Sequence, residues 1–274
     1  MTRVWLWVSL LTLIGGGAAQ AASYLDIYGT VHDPIQFISG VAPEGVPNPY
    51  SGNNLEPQAD LSNADLEFAD LYRANLYYAN LSDANLSVSD LTEANLNYAN
   101  LTGANLESAN LASADLSNAK LLEADLTFAD LSNAELFQAN LTYADLSNAD
   151  LTWAEGPGAI MEGATLISAD LTGASLTGAV LNAAYLNGAD LSNTSLFSAD
   201  LTLALNWSTA TWAGAKYSLN ALDINSIPIA DTSFPTGMDQ AWRDAAGMVP
   251  VPEPTTALLV GLGLIGLGVR RRVS

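Results

Sequence analysis

Between Ala59 and Leu203 the apolar positions return every five residues. A central position falls at Leu61, Leu66, Leu71 and onward to Leu201; of these 29 positions 27 are leucine, the exceptions being Gly156 and Met161. Two residues earlier stands alanine, again in 27 of 29, with Ser89 and Thr194 as exceptions. Between the two sits Asp 12 times and Asn 8 times, and the residue after the leucine is Ser or Thr in 15 repeats. The unit therefore reads Ala-Asp/Asn-Leu-Ser/Thr-x.

A period of five suits neither regular element. Five residues of α-helix advance about 500°, so successive leucines would land about 140° apart and spiral around the axis. In a flat strand an odd period sends successive leucines to opposite faces. A chain that turns a corner in every repeat hides both apolar positions. Ala and Leu point inward, and the other three residues face water or make the turn. Four corners close a square coil of about 20 residues, and stacked coils hydrogen-bond at about 4.8 Å. One coil buries four leucines worth roughly 1.5–3 kcal/mol each, against about 1–2 kcal/mol for each of its twenty ordered backbones. A single coil cannot stand alone, so the array must be long and its ends capped.

Runs such as Ala59-Asp60-Leu61-Ser62-Asn63-Ala64-Asp65-Leu66 resemble the pentapeptide-repeat family. The resemblance implies an all-β fold, a right-handed quadrilateral parallel β-helix over residues 59–203, with short apolar helices at both termini. It implies about seven coils and a rod about 35 Å long. Residues 23–58 then read as an N-terminal cap and Pro/Gly-rich lead-in, and 204–248 as a C-terminal cap and linker. After Leu201 the period slips by one residue, and Trp212 and Tyr217 take the central position as plugs for the end of the apolar column. Asp239 is placed to cap a short helix. The segment Glu155-Gly156-Pro157-Gly158 keeps the register but loses the leucine, and predicts a distorted corner.

The two ends follow other patterns. Residues 1–22 read as a secretory signal: Arg3, an apolar stretch from Val4 to Ile14, and a small-x-small cleavage site at Ala19-Gln20-Ala21. Residues 249–274 carry Pro252-Glu253-Pro254, an apolar stretch from Thr255 to Val269, and the basic cluster Arg270, Arg271 and Arg272. That stretch is short for a bilayer core of about 30 Å, which suits a temporary anchor, with the basic cluster held inside. This tail resembles a PEP-CTERM sorting signal. The resemblance implies an exosortase-type processing enzyme as partner, transient residence in the inner membrane, and display or release at the cell surface.

Composition closes much of chemistry. The 274 residues carry 8 Lys and Arg against 29 Asp and Glu, a formal charge of −21. Cysteine is absent and His32 is the one histidine, so thiolate sites, disulfides and multi-histidine metal sites are excluded. The acid excess disfavours nucleic acid as a partner. No nucleophile spacing or phosphate loop appears. The reading is a non-enzymatic protein, with no cofactor.

Residues 20 apart should stack as columns. One column holds Asp130, Asp150, Asp170 and Asp190, a ladder of like charges that could collect divalent cations. Arg73 and Glu93 fall one coil apart and could pair, and Tyr78 and Tyr98 could stack. Tyr72, Tyr77, Tyr78, Tyr98 and Phe68 offer aromatic faces to sugars, against plain cross-strand packing. The favoured function is a structural or interaction protein of the surface or matrix. The alternative is a binding module for exopolysaccharide, divalent cations or other surface proteins. A third reading, an acidic rod mimicking DNA, is opposed by the export signal.

Overall fold

The computed structural model describes residues 24–25, 31–32, 57–217 and 233–250. Its named strands are β1 (Tyr24–Leu25), β2 (Val31–His32), β3 (Lys216–Tyr217) and β4 (Val249–Pro250), with one helix, α1 (Gln240–Ala245). β1 pairs antiparallel with β2, and β3 pairs parallel with β4.

These sheets correct the expected fold class. Both have two strands and neither closes, so the described residues do not form a closed quadrilateral parallel β-helix. The repeats contribute isolated one-residue bridges instead of strands. The reason is local. Each unit spends two residues in a turn and buries two more, which leaves one residue per repeat to pair with a neighbour. A ladder needs consecutive paired residues, and outside Ala69–Asp70 and Ala74–Asn75 the repeats do not supply them. The expected terminal helices fall on residues outside those described. Among the described residues no helix is long and apolar enough to cross a membrane.

The twenty-residue step itself is present. Asp60 bridges Asn80, Asp65 bridges Asn85, Asp70 bridges Asp90 and Asn75 bridges Asn95, and the four series continue upward in parallel. The repeat alanines and leucines from Ala59 to Leu201 are buried in one continuous core. Where alanine is replaced, the hydroxyl finds a carbonyl: Ser89 donates to Leu86 O at 2.7 Å and Thr194 to Leu171 O at 2.9 Å. A buried hydroxyl without such a partner would destabilise the core.

The expected distortion at Gly156 does not occur. Glu155 bridges both Glu135 and Ser175, and Gly156 N donates to Ser175 O at 2.8 Å like any leucine in that place. Register depends on backbone groups, which glycine retains. Leu176 Cδ2 reaches to 3.2 Å from where a Gly156 Cβ would stand, so the neighbouring coil fills part of the missing side chain's space.

The one-residue slip is taken up between Leu205 and Thr211. Leu205 still pairs with Tyr185, whereas Thr211 pairs with Asp190, 21 residues back. Asn206 enters the left-handed region and a short 3-10 turn, Trp207–Thr209, absorbs the extra residue. Trp212 and Tyr217 are buried at the end of the core, together with Met238 and Met248. Trp242 of α1 stands edge-on to Trp207 at 4.8 Å and to Trp212 at 6.4 Å. Asp239 caps α1, accepting Trp242 N–H at 2.8 Å.

Candidate functional site

The outer surface is built from one turn repeated, and the turn explains the unit's composition. Consider Ala149 to Trp153. Ala149 N–H closes the preceding turn on Leu146 O at 3.1 Å. Asp150 N–H reaches down one coil to Ala129 O, while Leu151 and Trp153 N–H reach up to Asp170 O and Thr172 O. The remaining donor, Thr152 N–H, goes to Asp150 Oδ1 at 2.8 Å. All five backbone donors are therefore satisfied, one of them by the acidic side chain. Asp or Asn precedes leucine because its oxygen holds the turn two residues on.

The last position of the unit adopts positive φ. This holds from Asn63 to Leu203 at all 29 repeats, 23 of them non-glycine. The sequence pattern did not reveal this conformation, since Ser, Glu, Tyr, Phe and Trp all occupy it. The glycines and asparagines at this position were its visible trace.

The Asp130, Asp150, Asp170 and Asp190 column is joined by successive bridges, each to the next. Every one of the four accepts a backbone N–H through Oδ1, from Ser132, Thr152, Thr172 and Ser192 at 2.8–2.9 Å. Their first task is thus turn closure. Among the described residues no group of three or more His, Asp or Glu side chains could hold a metal ion.

Near the N-terminal end Arg73 Nε meets Glu93 Oε2 at 2.7 Å, one coil apart, and Tyr72 Oη donates to Glu93 Oε1 at 3.2 Å. The Arg73 guanidinium also lies over the Tyr72 ring at 4.6 Å. The hydrogen bond from Arg73 holds the Glu93 carboxyl below the usual range, with the arginine's charge and the Tyr72 hydroxyl adding to it. Tyr78 and Tyr98 stack at 4.7 Å with ring planes 6° apart, and Tyr77 stands edge-on to Tyr78 at 4.6 Å. Those rings pack on one another and stay 36–49% exposed.

Trp153 is arranged differently from those rings, in a manner it shares with Tyr143 beside Gly163. It takes the left-handed turn position at φ 58° and is 64% exposed. A Cβ on Gly173, one coil above, would lie 2.7–2.9 Å from three adjacent ring carbons, Cε3, Cζ3 and Cδ2. Near-equal distances to three neighbouring atoms place that point over the ring's face. The indole therefore lies flat across Gly173, inner face covered and outer face open. Sequence reasoning passed over Trp153; the readable signal was an aromatic in the last repeat position with glycine twenty residues later.

Ala19 and Ala21, and the sorting residues Pro252, Glu253, Pro254, Arg270, Arg271 and Arg272, lie outside the described residues. His32 lies in β2, paired with Tyr24.

One turn repeated around a continuous apolar core defines a linear repeat protein. Residues 58–87, 89–127, 121–155, 144–182, 159–196 and 174–204 match the family model described as pentapeptide repeats. The chain belongs to the pentapeptide-repeat family. Residues 250–272 match the PEP-CTERM protein-sorting motif. Together the matches make it an exported repeat protein processed for surface display, and the motif implicates an exosortase-type enzyme.

Among solved structures, the chain is similar to a pentapeptide repeat protein of the Arabidopsis thaliana thylakoid lumen, at 34% identity and TM-score 0.34. The match covers 34% of this chain and 65% of that one. It is also similar to HetL, a pentapeptide repeat protein involved in heterocyst differentiation regulation from the cyanobacterium Nostoc sp. strain PCC 7120. There identity is 38%, coverage 58% of this chain and 85% of HetL, and TM-score 0.21. A third similar protein, from Nostoc PCC 7120, shares 32% identity over 44% of this chain and 84% of its own, at TM-score 0.24. A search of curated proteins returned no match.

Proposed function

We propose that the chain is a structural or interaction protein of the cell surface or surrounding matrix, delivered in three steps. The segment 1–22 directs export and leaves near Ala21. The apolar stretch from Thr255 to Val269, with Arg270, Arg271 and Arg272 on the inner side, holds the protein in the inner membrane for a time. An exosortase-type enzyme then cuts near Pro252-Glu253-Pro254, and the repeats are displayed or released.

The observation that carries this reading is the match of residues 250–272 to the sorting motif. β4 pairs with β3 through Lys216 and Val249, and the match to the sorting motif begins at residue 250. Val249 and Pro250 are exposed. The motif thus begins at an exposed residue of β4. Mass spectrometry of the protein recovered from cells tests this. The expected product begins at residue 22 or 23 and ends close to Pro254. Replacement of Pro252, Glu253 and Pro254 by alanine should leave a longer, membrane-held form. A cell-surface product retaining Arg270 to Arg272 would refute the processing step.

The exposed aromatic faces favour polysaccharide as the matrix component contacted. For the Asp130, Asp150, Asp170 and Asp190 column, cation binding stays a proposal, weakened by the turn duty of each Oδ1.

A further inference from the structure

We propose that the open face of Trp153 is a stacking site for a neutral pyranose ring of a polysaccharide. The proposal rests on the surface-display reading, whose matrix component it specifies.

The backbone conformation gives no reason for a tryptophan here. The left-handed conformation at φ 58° disfavours a bulky side chain. Most of the indole surface is left in water, at 64% exposure. The equivalent turn residue is Asn133 one coil below and Asn193 two coils above, and Asn adopts this conformation more easily. Tyr143, at φ 59° and 60% exposed beside Gly163, repeats the arrangement with a smaller ring. The surroundings here are fitted to the ring. Gly173 leaves room for the indole to lie flat, and a Cβ at that position would strike the ring at 2.7 Å. The result is a rigid aromatic plate with one face supplied by the protein and one face free.

A flat π face binds the axial C–H face of a pyranose by dispersion and C–H contacts, and binds it better when the ring cannot rotate away. Register supplies the hydrogen-bonding rim. The bridge columns on either side of Trp153 place Asp150 and Asp170 on one flank and Glu155 and Ser175 on the other. Carboxylates and hydroxyls are suitable partners for sugar hydroxyl groups. Charge then selects among sugars. From Leu121 to Ala215 the chain contains no Lys or Arg, so a uronate would meet only negative charge. A neutral sugar meets no such opposition.

The test is affinity gel electrophoresis of the mature protein purified from cells. Gels contain hydroxyethylcellulose, laminarin or polygalacturonate. Wild type should be retarded by at least one of the two neutral glucans and not by polygalacturonate. Trp153→Ala should weaken that retardation about tenfold, as loss of one stacked aromatic does elsewhere. Trp153→Phe should retain part of it. Gly173→Asn, which displaces the plate but leaves the indole, should also weaken it. Retardation unchanged in Trp153→Ala overturns the proposal, as does absence of retardation by both neutral polymers, or retention by polygalacturonate alone. Trp153→Ala should still be exported and processed normally. Failure of the wild-type protein to reach the surface would count against the function proposed above and leave the binding result standing on its own.

Discussion

The repeated left-handed turn makes Val88 the place to test whether the array carries conformational strain. Among the 23 non-glycine repeat residues at positive φ, Val88 is the one β-branched residue, at φ 56°. An L-residue in this region costs about 1–2 kcal/mol, and branching at Cβ adds to the crowding. Asparagine tolerates the region, as Asn148 does at φ 59° three coils above in the same turn column. Val88 is half-buried, so replacing it also removes some apolar contact, worth several tenths of a kcal/mol. The expected net effect of Val88→Asn is a stabilisation of about 0.5–1 kcal/mol. The reverse change, Asn148→Val, should destabilise by about 1 kcal/mol or more. Urea unfolding measures both, using the midpoint at unchanged slope so that altered cooperativity is not mistaken for stability. If Val88→Asn destabilises, or both variants shift in the same direction, side-chain contacts outweigh backbone strain at these turns and the reasoning fails.

Two further predictions follow from the surface. Asp150→Asn keeps an oxygen for Thr152 N–H and removes one charge from a column of like charges, so stability should hold or rise; Asp150→Ala loses the acceptor and should cost about 1 kcal/mol in the same urea assay. Equal losses for the two would show that the carboxylate's charge, not its turn bond, matters. Glu93 has its carboxyl held below the ordinary value by Arg73. The stabilisation from that pair is present above the ordinary glutamate value near 4.5 and is lost as pH falls through the lowered one. Wild type should therefore lose more stability than Arg73→Met between pH 5 and pH 3, and parallel pH curves would remove the pair from the account.

Much of the core was legible because the five-residue period is a statement about side-chain direction. It located the buried alanines and leucines, and the spacing of twenty brought Arg73 to Glu93 and Tyr78 to Tyr98. The closed sheet it suggested was wrong. Periodicity says which side chains share a face, but not how many consecutive residues pair between coils, and here the number is one. Gly156 misled for a related reason: its missing side chain looked like a broken corner, yet bridging uses only N–H and C=O. The role of the acids was misjudged too. They were counted as surface charge, although Asp and Asn alternate freely because both offer the same oxygen to the turn. Trp153 was hidden because its significance lies in its relation to Gly173 and in a backbone angle, neither of which the pattern of apolar positions encodes.

The satisfied backbone of the repeat unit has a bearing on survival outside the cell. Secreted proteases grip several consecutive residues in extended form and compete for their amide groups. From Ala59 to Leu203 the chain offers no such length, because it bends every five residues and each bend is already bonded above, below or to its own side chain. To digest this region a protease must first strip a whole coil from its neighbours. Susceptible bonds are thereby pushed out of the repeats. Resistance to secreted proteases across the repeats is thus a result of the same five-residue unit that builds the core.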